Sequence, residues 1–304
     1  MKRELIEKLP ENWQESAVYL LENKPQGFVF AMQSDSHFAG NNDEIGNNIN
    51  TLSKIIDLEF YIHLGDIVRG YADPILDDPE NMRECMDEMV RRYLNQAVCP
   101  VLMTIGNHDT NAMWYDKFGD EKGFITEIEH YDRVMKPLKE YNGEKMVIKN
   151  RDTYYYMDFE KHNIRVVMLN SMNQAFSKGN YKGGFVISNE QIEWFKNEAL
   201  NTEKQIIVMS HTPLSTVLPK NNCSQNSEII REEVEKFIKR GGKFIAYICG
   251  HVHEQYAEYD ENGRLHISNV LGCSRCEVVS INTDKREINT TAFGTIKSRI
   301  GLKY

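Results

Sequence analysis

Long apolar runs are missing from this chain of 304 residues: none reaches the roughly 18 consecutive residues that a membrane-spanning helix needs. The opening Met1-Lys2-Arg3-Glu4-Leu5 also lacks the apolar core of a signal peptide, so a membrane role is not expected and the expected compartment is the cytoplasm. An excess of positive charge is missing too. The formal net charge is −9, whereas a protein that grips nucleic acid non-specifically needs a basic surface to release phosphate counterions. The basic pieces Arg91-Arg92 and Lys239-Arg240-Gly241-Gly242-Lys243 fall at helix ends, where cations suit the macrodipole. Cysteine is sparse and scattered, at 85, 99, 223, 249, 273 and 276, and a chain of this size needs no disulfide staples. Cys273 and Cys276 have redox spacing, but they precede a strand-like run instead of opening a helix, so they read as reduced thiols. No internal repeat, low-complexity segment or Pro-rich linker marks a boundary, which leaves one domain over 1–304.

What is present is a soluble globular composition, 41% hydrophobic and 27% charged, with strands that end in hard metal ligands. Ile105-Gly106-Asn107-His108-Asp109 follows an apolar run, and by itself would pass for a tight turn. Asp35-Ser36-His37, Gly65-Asp66, Ser210-His211 and Gly250-His251-Val252-His253 repeat the same grammar. A binuclear metal site assembled from loops is the reading that accounts for all five. Asp35 and His37 follow the buried run Gly27–Met32; in an extended segment residues i and i+2 point the same way, so both reach one ion.

The rest of the pattern supplies the frame. Residues 1–23 form amphipathic turns around Leu5, Ile6, Trp13, Val18 and Leu21, broken at Pro10. Helical spacing runs over 43–57, 79–96, 125–141, 189–200 and 228–240, and Ser188-Asn189-Glu190-Gln191 reads as a capping box. Phe60–Leu64 completes a right-handed strand–helix–strand crossover that brings the first two ligand groups to one sheet edge. His63 lies within that strand and reads as a satisfied core histidine. Residues 154–159 and 164–169 form a hairpin, as do the segments flanking Asn262-Gly263 and 282–286. The aromatic, charged segment 110–150 is a candidate lid.

Asp-x-His, Gly-Asp, Gly-Asn-His-Asp, His and Gly-His-x-His, in this order over residues 35–253, resemble the calcineurin-like metallophosphoesterase superfamily. The resemblance implies an α/β fold, a four-layer sandwich of two mixed β-sheets flanked by helices, with the metals at the sheet edge. It implies that Asp35, His37, Asp66 and His253 hold one ion and Asp66, Asn107, His211 and His251 the other, with Asp66 bridging. The chemistry agrees. A carboxylate can share its charge between two cations and an amide cannot, and neutral imidazoles with an Asn carbonyl keep the ions Lewis-acidic enough to ionise a bridging water. The lack of cysteine among the ligands argues against a structural zinc knot, and two divalent or trivalent ions of Mn, Fe, Zn, Co or Ni suit this mixed nitrogen and oxygen set.

His108 is left over from the ligands. The resemblance places it beside the phosphate as general acid, with Asp109 accepting a hydrogen bond from its far nitrogen. Asn107, His108 and Arg69 are the candidate substrate contacts. His130, His162 and His266 match no motif and read as surface or core residues. The expected activity is hydrolysis of a small-molecule phosphate ester, mono- or diester, by a metal-bound hydroxide attacking in line. The alternatives are a nuclease, disfavoured by the acidic balance, and a metal-binding scaffold that has lost catalysis. Substrate choice is expected from the loops 69–79, 111–124, 170–187 and 212–225, with Arg69, Trp114, Tyr181 and Lys182 as possible contacts.

Overall fold

The apolar run after Gly27 becomes the strand on which one of two sheets is centred. The computed structural model describes residues 2–39, 45–70, 78–95, 97–119, 121–173, 185–218, 223–269, 272, 275–294 and 298–304. Among them the strands are β1 (Phe28–Gln33), β2 (Phe60–His63), β3 (Val101–Met103), β4 (Met146–Val147), β5 (Tyr155–Phe159), β6 (Ile164–Met168), β7 (Gln205–Ser210), β8 (Lys243–Cys249), β9 (Tyr256–Tyr259), β10 (Leu265–Ser268), β11 (Cys276–Asn282), β12 (Glu287–Phe293) and β13 (Arg299–Lys303). The helices are α1 (Lys2–Ile6), α2 (Glu11–Asn23), α3 (Ile45–Ile55), α4 (Pro79–Asn95), α5 (Ala112–Phe118), α6 (Glu127–His130), α7 (Lys136–Asn142), α8 (Asn189–Trp194) and α9 (Ser227–Lys239). A π-helical turn, Tyr131–Met135, joins α6 to α7.

One sheet has the order β13-β12-β11-β1-β2-β3 and the other β4-β5-β6-β7-β8-β10-β9. Both are mixed. In the first, β1, β2 and β3 run parallel while β11 pairs antiparallel with β1; in the second, β6, β7, β8 and β10 run parallel between antiparallel edges. Alternate residues of β6 and β7 serve two cores, as the strand period of two requires. Val166, Met168, Ile207 and Met209 join Phe28, Phe30 and Met32 of the first sheet in the central core. Val167, Ile206 and Val208 instead pack with Trp194, Phe195, Val234 and Phe237 beneath α8 and α9. Two mixed sheets flanked by helices are therefore the architecture.

The N-terminal turns bury Ile6 and Trp13 and pack Leu5 and Leu21 half-buried against the core, as the spacing suggested, with Val18 as the exception. Pro10 does separate α1 from α2, and Trp13, Ala17 and Leu20 form the buried face, while Val18 is 39% exposed. Burial here is decided by the partner, since Trp13 packs 5.0 Å from Phe293 of β12. Trp13→Ala is expected to cost about 3–5 kcal/mol through the cavity it leaves, read as a shift of the denaturant midpoint at constant slope. A loss within experimental error would show that α2 is not part of the cooperative unit.

Within the candidate lid, Ile125, Val134, Met135, Leu138 and Met146 are buried in the central core. That part belongs to the frame, which leaves 110–124 as the portion for which a covering role stays a proposal. The capping box at Ser188 is half formed: Ser188 Oγ accepts from Gln191 N, but the Gln191 side chain turns to the main chain of Asn170. Among the described residues no helix is long and apolar enough to cross a membrane. The described cysteines are free, with Cys276 buried in β11; Cys273 lies outside the described residues.

Candidate metal centre

Parallel strands deliver their C-terminal ends to one edge, which is where open α/β sheets present ligands. β1, β2 and β3 carry Asp35 and His37, Asp66, and Asn107; β7 and β8 carry His211 and the pair His251 and His253. Asp35, His37, Asp66 and His253 bring one donor atom each to within 4.8 Å of one another, and Asp66, His211 and His251 do the same. Asp66 belongs to both groups. Its Oδ2 lies 3.4 Å from His211 Nε2 and 3.9 Å from His37 Nε2, while its Oδ1 accepts the His108 main-chain N–H at 2.8 Å. Asn107 Oδ1 stands 3.1 Å from His211 Nε2, and His253 Nε2 stands 3.1 Å from Asp35 Oδ1.

The local backbone differs from the extended ligand segment inferred from the sequence. Asp35, His37, Asp66, His251 and His253 all adopt positive φ, between 47° and 63°. A left-handed backbone costs a non-glycine residue about 1–2 kcal/mol, so strain repeated at five positions is held by the structure packed around them. Asp35 and His37 converge because tight turns fold them together, with His37 Nε2 4.0 Å from Asp35 Oδ1. Glycines make room for this. A Cβ on Gly106 would lie 2.1 Å from Asp66 Oδ1, and one on Gly250 would lie 1.8 Å from Ser34 Oγ.

Supporting contacts orient the donors. His211 Nδ1 bonds the Leu64 carbonyl at 2.8 Å; a carbonyl can only accept, so Nδ1 carries the proton and Nε2 faces the cluster. Asp35 Oδ2 accepts from His251 N at 3.0 Å and from Ser34 Oγ, and the Phe185 ring lies 4.9 Å from His251. His63 is buried beneath the Asp35 turn with Nε2 bonded to Ser36 Oγ, and burial pushes its pKa down to about 3. Ser34, Ser36 and Leu64 carried no signal in the sequence beyond adjacency to ligands.

Asp35 Oδ1, His37 Nε2 and Asp66 Oδ2 are buried with no hydrogen bond to satisfy them, although Asp35 Oδ1 lies close to His253 without hydrogen-bond alignment. Burial pushes the Asp66 pKa up, but His211 and His108 outweigh it and hold the carboxyl well below its usual range. For His211 burial lowers the pKa, and the Asp66 and Asp35 carboxylates overcome this to raise it to about 9. Two buried carboxylates at one spot call for positive charge, and unsatisfied oxygen and nitrogen atoms converge there. The donor set fits metal cations of the kind that accept mixed nitrogen and oxygen ligation.

Asp109 is placed differently from its expected role. Its carboxylate accepts from Val68 N at 3.0 Å and Gly106 N at 2.8 Å, tying two ligand-bearing loops together, and it makes no hydrogen bond to His108. Burial, helped by Asp66, pushes its pKa up to about 7 against those two donors. His108 Nδ1 bonds instead to the Arg69 carbonyl at 2.7 Å, which leaves Nε2 turned toward the site, 4.0 Å from Asp66 Oδ2. Arg69 thus meets His108 through its main chain, with its side chain exposed. Trp114 is not a surface for ligands either: it is buried between Phe118, 4.4 Å away, and Gly123, where an added Cβ would strike it. Tyr181 and Lys182 lie outside the described residues.

The remaining histidines stand away from the clusters. His130 Nε2 bonds the Asp109 carbonyl at 3.0 Å, His162 bonds Glu59 at 2.7 Å, and His266 bonds Asp260 at 3.1 Å.

A family model described as calcineurin-like phosphoesterase matches residues 28–255. No curated protein matches the chain. Among solved structures, the chain is similar to a dimetal phosphatase from Danio rerio at 14% identity and a TM-score of 0.60, covering 92% of this chain and all of that one. It is also similar to a 5'-nucleotidase from Candida albicans at 18% identity and a TM-score of 0.51, covering 85% of this chain and 48% of that one. At these identities the likeness shows the fold.

Proposed function

Because the chain belongs to the calcineurin-like phosphoesterase family, we propose that it hydrolyses small phosphate esters at a centre of two transition-metal ions. The observation that carries this is the shared carboxylate: Asp66 stands in both donor groups, with Oδ2 satisfied by no hydrogen bond. Asp35, His37, Asp66 and His253 would hold one ion; Asp66, Asn107, His211 and His251 the other. When bound, such a pair supplies the positive charge that grips phosphoryl oxygens and lowers the pKa of the attacking water. The identity of the native ions is left open among Mn, Fe, Zn, Co and Ni, all of which suit these donors.

The chain's own residues do the rest. Leu64 fixes the His211 tautomer, and the Arg69 carbonyl accepts the Nδ1–H of His108, so in the imidazolium form Nε2 carries the second proton and is the nitrogen that would give it to the departing ester oxygen, leaving the neutral Nδ1–H tautomer behind. Asp109 acts as a positioning residue, clamping the loops that carry Asp66 and Asn107 through Val68 and Gly106. Asn107 and His108 are the proposed phosphate contacts, with Arg69 contributing through its placement of His108. Two of the solved structures similar to this chain are named a dimetal phosphatase and a 5'-nucleotidase, which supports small phosphate esters as the substrate class. A net charge of −9 counts against a nuclease.

The test is a panel of phosphomonoesters, cyclic nucleotides, phosphodiesters, phosphoproteins and DNA assayed on metal-reconstituted protein. Turnover is expected on small esters, lost on chelation and restored by Mn²⁺. Hydrolysis that survives exhaustive chelation and verified metal loss would sink the mechanism. Silence across the panel with two ions bound would favour a scaffold, and preference for DNA a nuclease.

A further inference from the structure

The family match ends at residue 255, yet the chain continues through β9–β13, and its last strand reaches back to the arm that carries His253. Arg299 opens β13. Its Nη2 donates to Glu277 Oε1 at 2.7 Å and Oε2 at 2.6 Å, and its Nη1 donates to the carbonyls of Tyr256 at 2.6 Å and Ser268 at 3.4 Å. One guanidinium therefore joins β11 of the first sheet to β9 and β10 of the second.

Glu277 is fully buried, opposite Met32 of β1, three residues before Asp35. Its Oε1 also accepts from Gln255 Nε2 at 2.7 Å, and Gln255 lies two residues after His253. Beside it, Ser268 Oγ donates to the Glu254 carbonyl and accepts from Tyr256 N.

We propose that Arg299 and Glu277, acting through Gln255, are positioning residues that hold the arm bearing His253 against the sheet bearing Asp35. The inference rests on the metal-centre reading above. Asp35 and His253 come from different sheets, so their separation depends on whatever locks those sheets together at this edge. A buried ion pair needs close geometry to be tolerated, and hydrophobic residues of equal volume would pack there as stably, so what it adds is orientation. His251 sits nearer β8, its N–H bonded to Asp35 and its ring against Phe185, and is held independently. The effect should therefore fall on one metal position.

The experiment is Mn²⁺ titration of metal-free protein by calorimetry, with His253→Asn, which suits the left-handed backbone there, identifying the binding phase to which His253 contributes. Gln255→Ala leaves the ion pair intact and is expected to weaken that phase by about 10- to 100-fold, the usual consequence of losing a group that orients a ligand, while the other phase and the melting temperature of metal-free protein stay put. Arg299→Lys keeps the charge but loses the fork, and is expected to weaken the same phase less than Arg299→Ala does. Arg299→Ala strands a buried carboxylate at a cost to folding, so Gln255→Ala decides. Unchanged phases in Gln255→Ala, or equal weakening of both, overturn the inference while leaving the metal centre standing. Wild-type protein that takes up no Mn²⁺ overturns the metal-centre reading and the inference with it.

Discussion

Asp66→Asn is expected to lower metal occupancy at both positions and activity by roughly 10³-fold or more, because the charge that grips the transition state, several kcal/mol of stabilisation, is lost with the ions. Asparagine is the informative substitution. Asp66 has φ of 53°, a region that Asn tolerates and Ala does not, so Asp66→Asn keeps the turn, whereas Asp66→Ala would add backbone strain to the loss of a ligand. It also keeps an oxygen to accept the His108 N–H. What disappears is the negative charge that an amide cannot share between two cations. His37→Asn is the contrast: asparagine again suits the left-handed backbone, φ 47°, and His37 belongs to one donor group, so its loss should mainly weaken one position. Elemental analysis showing two full equivalents of metal on Asp66→Asn would contradict the shared-carboxylate assignment.

His108→Gln is expected to retain both ions, lose about 10²-fold or more on an alkyl phosphate ester, and lose distinctly less on the nitrophenyl analogue. An alkoxide must be protonated as it departs; a nitrophenolate leaves unaided. The geometry sharpens this. His108 reaches the site from a turn, with its Nδ1–H anchored on the Arg69 carbonyl and its main-chain N–H on Asp66, so the ring is held and the second proton of the imidazolium, on Nε2, is the one available to the leaving group. Glutamine can still donate a hydrogen bond to phosphate but cannot act as an acid. Equal slowing on both substrates, with metals bound, would show that His108 only holds the phosphate.

Much of this was legible in the sequence. Apolar strands ending in Asp, Asn or His set both the class of chemistry and the edge where it sits, since alternation and strand length are local properties. The hairpins at Asn262-Gly263 and 282–286 were written in turn chemistry, and the helix over 45–55 in its spacing. Tertiary structure decided the rest. Nothing local says that five candidate ligands adopt left-handed backbone, because that strain is held by contacts such as His251 N to Asp35 Oδ2, 216 residues apart. Nor could the sequence tell that Asp109, adjacent to His108, turns away to bind Val68 and Gly106, or that Val18 stays exposed while its companion Trp13 faces the sheet. A buried polar or aromatic group takes whichever partner the packed layers bring within reach, and sequence adjacency does not determine that partner.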